Sequence, residues 1–231
     1  MIWCYHVVFQ ADGVNMNVIY EDNHLLVIDK PYNLLSQADN TEDEDVITLG
    51  KKYLKEKYDK PGNVYCGLVH RLDRVVSGVM VLAKTSKAAS RLSNQVRLNQ
   101  FEKKYVALVE NKPQKGKLMD YLVKDEKTNT VTTTTSVRGK YSELIINDVQ
   151  HYRENTYFVF ITLVTGRSHQ IRVQLSSRKT PIVNDHRYNP HAKKGQPICL
   201  VATELSFFHP ITNEKLTFTV DGKQRIIQSL S

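Results

Sequence analysis

His70-Arg71-Leu72-Asp73-Arg74 sets one carboxylate between two guanidinium groups, and the segment lies between two apolar runs, Gly67–Val69 and Val79–Ala83. Short β-rich runs of this kind predict strands, so the polar stretch between them is a loop or strand end, where a rigid scaffold commonly presents reactive groups. A carboxylate beside Arg71 and Arg74 is biased towards its ionised form. That suits a nucleophile or a charge partner better than a general acid. The same residues also read as a surface turn with a local ion pair. Two further stretches carry chemistry. Glu102–Val109 predicts a strand with Tyr105, Ala107 and Val109 on one face and Lys104, Val106 and Leu108 on the other. A strand tyrosine most often packs, yet a phenol can also stack on a flat ring or exchange a proton. Thr165–Leu175 gathers Arg167, His169 and Arg172 around a turn at Gly166. Such a cluster at a helix start suits a phosphate or carboxylate, or is simply a basic solvated helix.

Strands and turns must hold these pieces. Val18-Ile19-Tyr20 and Leu25–Ile28 predict two strands around the polar turn Glu21–His24, and Lys30-Pro31 ends the second. Val46–Tyr58 has a helical pattern behind the acidic run Glu42–Asp45, whose charges favour a helix N-terminus, and Pro61-Gly62 stops the chain beyond it. Ser86 predicts the cap of a second helix reaching about Leu98, with Ala89, Leu92 and Val96 on one face and Arg91 and Arg97 on more exposed ones. Val131–Thr135, Leu144–Val149 and Tyr157–Val164 add strands rich in Thr, Val, Ile and aromatics, and Cys199–Phe207 with Lys215–Val220 predicts a closing pair. A short helix follows Gly166. Strands dominate without βαβ regularity, which predicts an α+β fold with a mixed, mainly antiparallel central sheet and flanking helices.

The 231 residues suit one substantial domain or a domain with two lobes, and no repeat, low-complexity tract or long linker divides them. A net charge of +8 favours a polyanionic partner, nucleic acid above all. The three cysteines, Cys4, Cys66 and Cys199, are far apart and form no C-x-x-C pair. That fits a reducing compartment and argues against a disulfide scaffold or a zinc cluster. No apolar run approaches membrane-spanning length, and Met1–Ala11 lacks the basic start of a signal peptide. The expectation is a cytoplasmic protein with no membrane contact, no obligate protein partner and a monomer as default.

His70-Arg71-Leu72-Asp73-Arg74-Val75-Val76-Ser77-Gly78 resembles the central motif of the pseudouridine synthases of the RluA branch, which act on uridines in ribosomal and transfer RNA. The family usually has Thr where this chain has Val76. Lys103-Lys104-Tyr105 resembles the family's K-x-Y segment, and Thr165-Gly166-Arg167-Ser168-His169-Gln170-Ile171-Arg172 is similar to its T-G-R-[ST]-H-Q-[IL]-R signature without a break. Weaker matches are Glu21–Pro31, Pro181–Asp185 with Asn184 in place of the usual Gly, and Leu200–Pro210. The resemblance implies residues 17–231 as a catalytic domain with a cleft, after an N-terminal extension of residues 1–16 too short to be a separate RNA-binding domain. It implies Asp73 as the catalytic residue, Arg172 as its charge partner, and Tyr105 as the ring that stacks on the flipped uracil and helps remove the C5 proton. Arg71 would fill the gap left by the flipped base, and Ile171 would pack against the base. Leu72, Lys103, Arg167, His169 and Gln170 are expected on the substrate side. Structured RNA is the implied partner, with neither metal nor organic cofactor. Two rival readings are a catalytically idle RNA-binding or RNA-chaperone protein on the same fold, and a hydrolase of glycosidic bonds. Typical glycosidases use two facing carboxylates, and the motifs here supply one.

Overall fold

Val7–Ala11 (β1) and Val14–Glu21 (β2) form an antiparallel hairpin that continues into Leu25–Lys30 (β3). The four apolar residues that open β3 are fully buried. Each such side chain stabilises the fold by about 1.5–3 kcal/mol relative to exposure. The computed structural model describes residues 7–11, 13–39, 41 and 43–230. Cys4 and part of the expected N-terminal extension lie outside them. The rest of that stretch is not an appendage, because β1 and the start of β2 are paired strands.

Two units emerge: residues up to Phe101 together with Glu204–Val220, and Glu102–Thr203 together with the chain from Asp221. In the first, Val46–Lys57 (α1) follows β3. Asp45 caps it, its carboxylate accepting from the Ile47 and Thr48 amides, so the acidic run does mark a helix start. The short strand Gly67–Leu68 (β4) and β3 both pair with Ser77–Ala83 (β5), all seven residues of which are buried. Ser86–Arg97 (α2) is capped by Thr85 rather than Ser86, through the Ala88 amide at 3.1 Å. Its apolar face packs into a core that includes Val27, Val79, Val81, Phe101, Phe207 and Phe218.

The second unit opens with Glu102–Glu110 (β6). It continues with Gly116–Asp125 (β7), Thr130–Thr134 (β8), Lys140–His151 (β9) and Thr156–Leu163 (β10). Their order in the sheet is β6-β10-β9-β7-β8, every neighbour antiparallel. Gln170–Ser176 (α3) follows, buried from Gln170 to Leu175. Leu200–Phe208 (β11) starts in this unit and ends in the first, where it pairs with Lys215–Thr219 (β12). Gly222–Ser229 (α4) closes the chain. The fold is thus α+β and mainly antiparallel.

Two elements depart from the sequence pattern. β7 was not expected, because apolar side chains occupy both of its faces: Leu118 and Leu122 on one, Met119, Tyr121 and Val123 on the other. Strict alternation is what betrays a strand, and here it is blurred. α4 has only Ile226 and Ile227 as apolar residues. It is fixed by contact: a Cβ on Gly222 would lie 2.4 Å from Thr203 Cγ2, so only glycine lets the helix start meet β11.

Candidate active site

In the first unit the R-L-D motif forms the loop between β4 and β5. It is held through its backbone. Ser36 Oγ donates to the Leu72 carbonyl at 2.6 Å and accepts from the Leu72 amide at 3.2 Å, with both residues buried. The Val76 amide donates to the Asp73 carbonyl at 2.9 Å, closing a turn around the acid. Gly78 follows at φ 126°, a backbone region that side chains rarely allow. Below the loop lies Lys30, fully buried, whose ammonium donates to the carbonyls of Pro31, Leu34 and Arg74 at 3.0, 2.6 and 3.1 Å. Burial pushes this amine down to about 7, while the charge of Asp73 pushes it back up. His70 secures the front of the loop, its Nε2 accepting from the Val81 amide at 3.1 Å and its ring packed edge-on against Phe101.

Leu72 is buried, Asp73 half-buried and Arg71 exposed. Arg74, which the sequence places beside the acid, instead reaches Asn33 Oδ1 at 2.8 Å through Nε and Asp43 Oδ2 at 2.7 Å through Nη1. Val76, the departure from the family pattern, is buried and apolar, so the missing hydroxyl falls on a packed position.

In the second unit the other two motifs meet. Tyr105 is buried on β6, opposite Ile161 of β10, and Lys103 lies opposite Leu163. Desolvation lowers the pKa of the Lys103 amine, which lies next to the Gly166 turn: a Cβ on Gly166 would be 3.2 Å from Lys103 Nζ. That turn is fastened by Gln170. Its Oε1 accepts from Thr165 Oγ1 at 2.8 Å and from the Arg167 amide at 3.0 Å. Its Nε2 donates to the Glu143 carbonyl and to Gln174 Oε1, each at 3.0 Å. Four hydrogen bonds are all that an amide side chain makes, and Gln170 spends them on building the turn.

Arg172 is buried on α3, and within this unit its fork meets Asp185, Nε to Oδ2 at 2.8 Å and Nη2 to Oδ1 at 2.7 Å. The guanidinium also lies over the Tyr188 ring, 5.1 Å from its centre. The Tyr188 hydroxyl accepts from the Val131 amide at 2.9 Å and shares a 2.7 Å hydrogen bond with His169 Nδ1. His169 itself is buried with a left-handed backbone, φ 51°. The expected basic cluster is therefore not a solvated one. Only Arg167 of the three is exposed, and its Nε donates to the Tyr141 carbonyl at 3.0 Å. Ile171 is buried on the same helix.

Sequence reasoning missed Ser36, Asp185 and Tyr188 as members of the site. Asp185 had a signal: the Pro181–Asp185 segment resembles a family segment, and Asn184 adopts the left-handed backbone (φ 59°) that the usual glycine would supply. Ser36 had none, since its partner is 36 residues away. Among the described residues no group of His, Cys, Asp and Glu could hold a metal ion.

The sequence pattern of the RNA pseudouridylate synthases matches residues 24–177, which include all three motifs. The chain belongs to that family. Within it, the relatives lie in the RluA branch. The dual-specificity RNA pseudouridine synthase RluA of Haemophilus ducreyi is 33% identical over 210 residues, covering 88% of this chain and 91% of the relative. The ribosomal large subunit pseudouridine synthase D of Vibrio cholerae is 30% identical over 229 residues, covering 91% of this chain and 68% of the relative. The same fold occurs in the solved structure of human RNA pseudouridylate synthase domain containing 4, with a TM-score of 0.76 at 22% identity over 92% of this chain and 91% of that one. As a member of this family the chain is an RNA pseudouridine synthase, an isomerase. No helix among the described residues is long and apolar enough to cross a membrane.

Proposed function

We propose that this enzyme converts a uridine of ribosomal or transfer RNA to pseudouridine with Asp73 as the nucleophile. The observation that carries this reading is the set of three motifs in one chain, Arg71–Asp73, Lys103–Tyr105 and Thr165–Arg172, inside the region that matches the family. The names of the relatives favour ribosomal RNA, and RluA is named as having dual specificity. The half-buried Asp73, on a loop held by its backbone, supports a carboxylate held in a defined position.

The target nucleotide leaves its stack at a cost of a few kcal/mol in a duplex and less in a loop, with exposed Arg71 filling its place. Asp73 attacks the nucleotide, or helps expel uracil through a glycal-type route. In either case the N1–C1′ bond breaks and a C5–C1′ bond forms. C5 loses its proton, directly or through water to Tyr105, and N1 gains one, so the formula is unchanged. Arg172 keeps the carboxylate charged and aimed, Ile171 supplies apolar contact to the base, and Leu72, Lys103, Arg167 and His169 shape the substrate side. No redox or hydrolytic step occurs, so the reaction requires neither metal nor organic cofactor. Free Cys66 and Cys199, both buried with thiols pushed up to about 12 by desolvation, suit a cytoplasmic setting and take no part.

Tritium release from RNA carrying [5-³H]uridine tests the reading. The wild type should release tritium and leave pseudouridine in the RNA. Free uracil would establish hydrolysis instead, and binding without release by the wild type would establish the idle RNA-binding protein.

A further inference from the structure

β7 is apolar on both faces, and only one of them has a partner. Leu122 packs with Val131 and Val173 beneath α3. The other face presents Met119, Tyr121 and Val123 at 57%, 52% and 37% exposure, and β9 adds Tyr141 at 39%. Tyr121 and Tyr141 are direct cross-strand partners, with ring centres 5.9 Å apart in an edge-to-face arrangement. Scattered exposed apolar residues need no explanation, but four contiguous ones on one sheet face mark an interaction surface. The turn after β8 folds back against the patch without covering it, and Gly139 makes that approach possible: a Cβ there would lie 2.7 Å from Tyr121 Cβ.

The rim of the patch fixes the chemistry of its occupant. Arg138 precedes Gly139 and is exposed, and exposed Arg167 is bonded to the backbone of Tyr141 itself. Glu143 and Asp125 are the acidic residues on this face; Glu143 is matched by Lys117 at 3.2 Å and by the Tyr141 hydroxyl at 2.6 Å, and Asp125 accepts from the Lys127 amide at 2.9 Å. Among the described residues Arg138 and Arg167 therefore remain without an acidic match around two exposed phenol rings. A second copy of the chain, also basic at +8, would bring like charge to this rim. A single-stranded polyanion with flat bases satisfies both features, phosphates to the rim and bases to the rings.

The patch is also continuous with the motif turn. The Thr165 hydroxyl accepts from the Glu143 amide at 2.8 Å, and Gln170 donates to the Glu143 carbonyl at 3.0 Å. Two residues along the same strand stands Tyr141. We propose that Tyr121 and Tyr141 form a stacking platform for unpaired nucleotides of the RNA substrate outside the target uridine, with Arg138 and Arg167 on the phosphates. This deepens the reading of the protein as an RNA-modifying enzyme and rests on it. The platform sets which RNAs bind well and takes no part in the chemical step.

Fluorescence anisotropy with an end-labelled RNA hairpin carrying an unpaired loop uridine and a single-stranded 3′ tail tests the platform without turnover. Stacking is worth about 1–3 kcal/mol per base, so Tyr121→Ala/Tyr141→Ala should weaken binding by about tenfold or more. Tyr121→Phe/Tyr141→Phe keeps the rings and should bind within about twofold of the wild type. The single-turnover rate at saturating RNA should be unchanged in both. Removal of the tail should weaken the wild type and leave the double alanine variant unaffected. Equal affinity of the wild type and the double alanine variant would overturn the proposal. So would an equal loss by both on a blunt duplex, or a wild type that light scattering shows to be a dimer and the alanine variant a monomer. A wild type that binds through the tyrosines yet makes no pseudouridine would leave the platform standing and remove the catalytic reading instead.

Discussion

The Asp73 loop and the Arg172 helix are fixed in opposite ways. The loop is clamped by its backbone: Ser36 takes both polar groups of Leu72, Lys30 gathers the Arg74 carbonyl, Arg71 is exposed and Asp73 half-buried. On α3 it is the side chains that are clamped. Asp185 grips the fork of Arg172, Tyr188 lies beneath it, and His169 is tied to the same phenol. The position of the acid on this loop is thus set by the backbone bonds of its neighbours. A group whose task is to hold a charge in place is itself held. Arginine suits the second task because its planar fork accepts a bidentate partner.

The comparison predicts unequal costs of breaking each side. Asp185→Ala removes the bidentate partner of a buried guanidinium, and removing one partner of a buried pair costs about 3–5 kcal/mol. The urea midpoint should fall steeply, with activity lost along with the fold. A variant of near wild-type stability would show that Arg172 does not depend on this clamp. On the loop side, Lys30 carries a pH signature. With the folded amine at about 7 and the unfolded one at 10.5, the unfolded chain binds more protons between these values. Stability should then rise from pH 7 to pH 9, by no more than about 1.4 kcal/mol per unit. Lys30→Met should flatten that rise. A wild type already flat in this range would show that the three carbonyls, which need three N–H donors, keep the ammonium charged. Smallest is Ser36→Ala, which leaves the Leu72 amide and carbonyl unsatisfied at about 1–3 kcal/mol. It should slow the chemical step while RNA binding stays within about twofold, because only the aim of Asp73 is loosened. A loss of binding equal to the loss of rate would place Ser36 in general folding.

The two sides were also unequally legible in the sequence. Strands β3, β5 and β10 and helices α1 and α2 were readable, because their apolar periodicity is strong and their ends carry caps or breakers. The residues of the Asp73 loop were readable too, since the motif is local. Its clamp was not: Ser36 is an ordinary serine until the chain brings it to Leu72. On the helix side, the Arg167, His169 and Arg172 pattern pointed to an exposed basic cluster. Charge along a sequence does not reveal that His169 has Tyr188 and Arg172 has Asp185 to satisfy them in a buried place. β7 escaped notice because its second apolar face, the one carrying Tyr121, serves the surface rather than the core.

Asp73→Asn tests the central claim most directly, since it keeps the size of the side chain and the backbone bonds of the loop while removing the charge that attacks. Single-turnover pseudouridine formation should fall by on the order of a thousandfold or more, with the thermal midpoint and the RNA dissociation constant close to those of the wild type. Wild-type conversion by a clean Asp73→Asn preparation would contradict the assignment of Asp73 as the nucleophile.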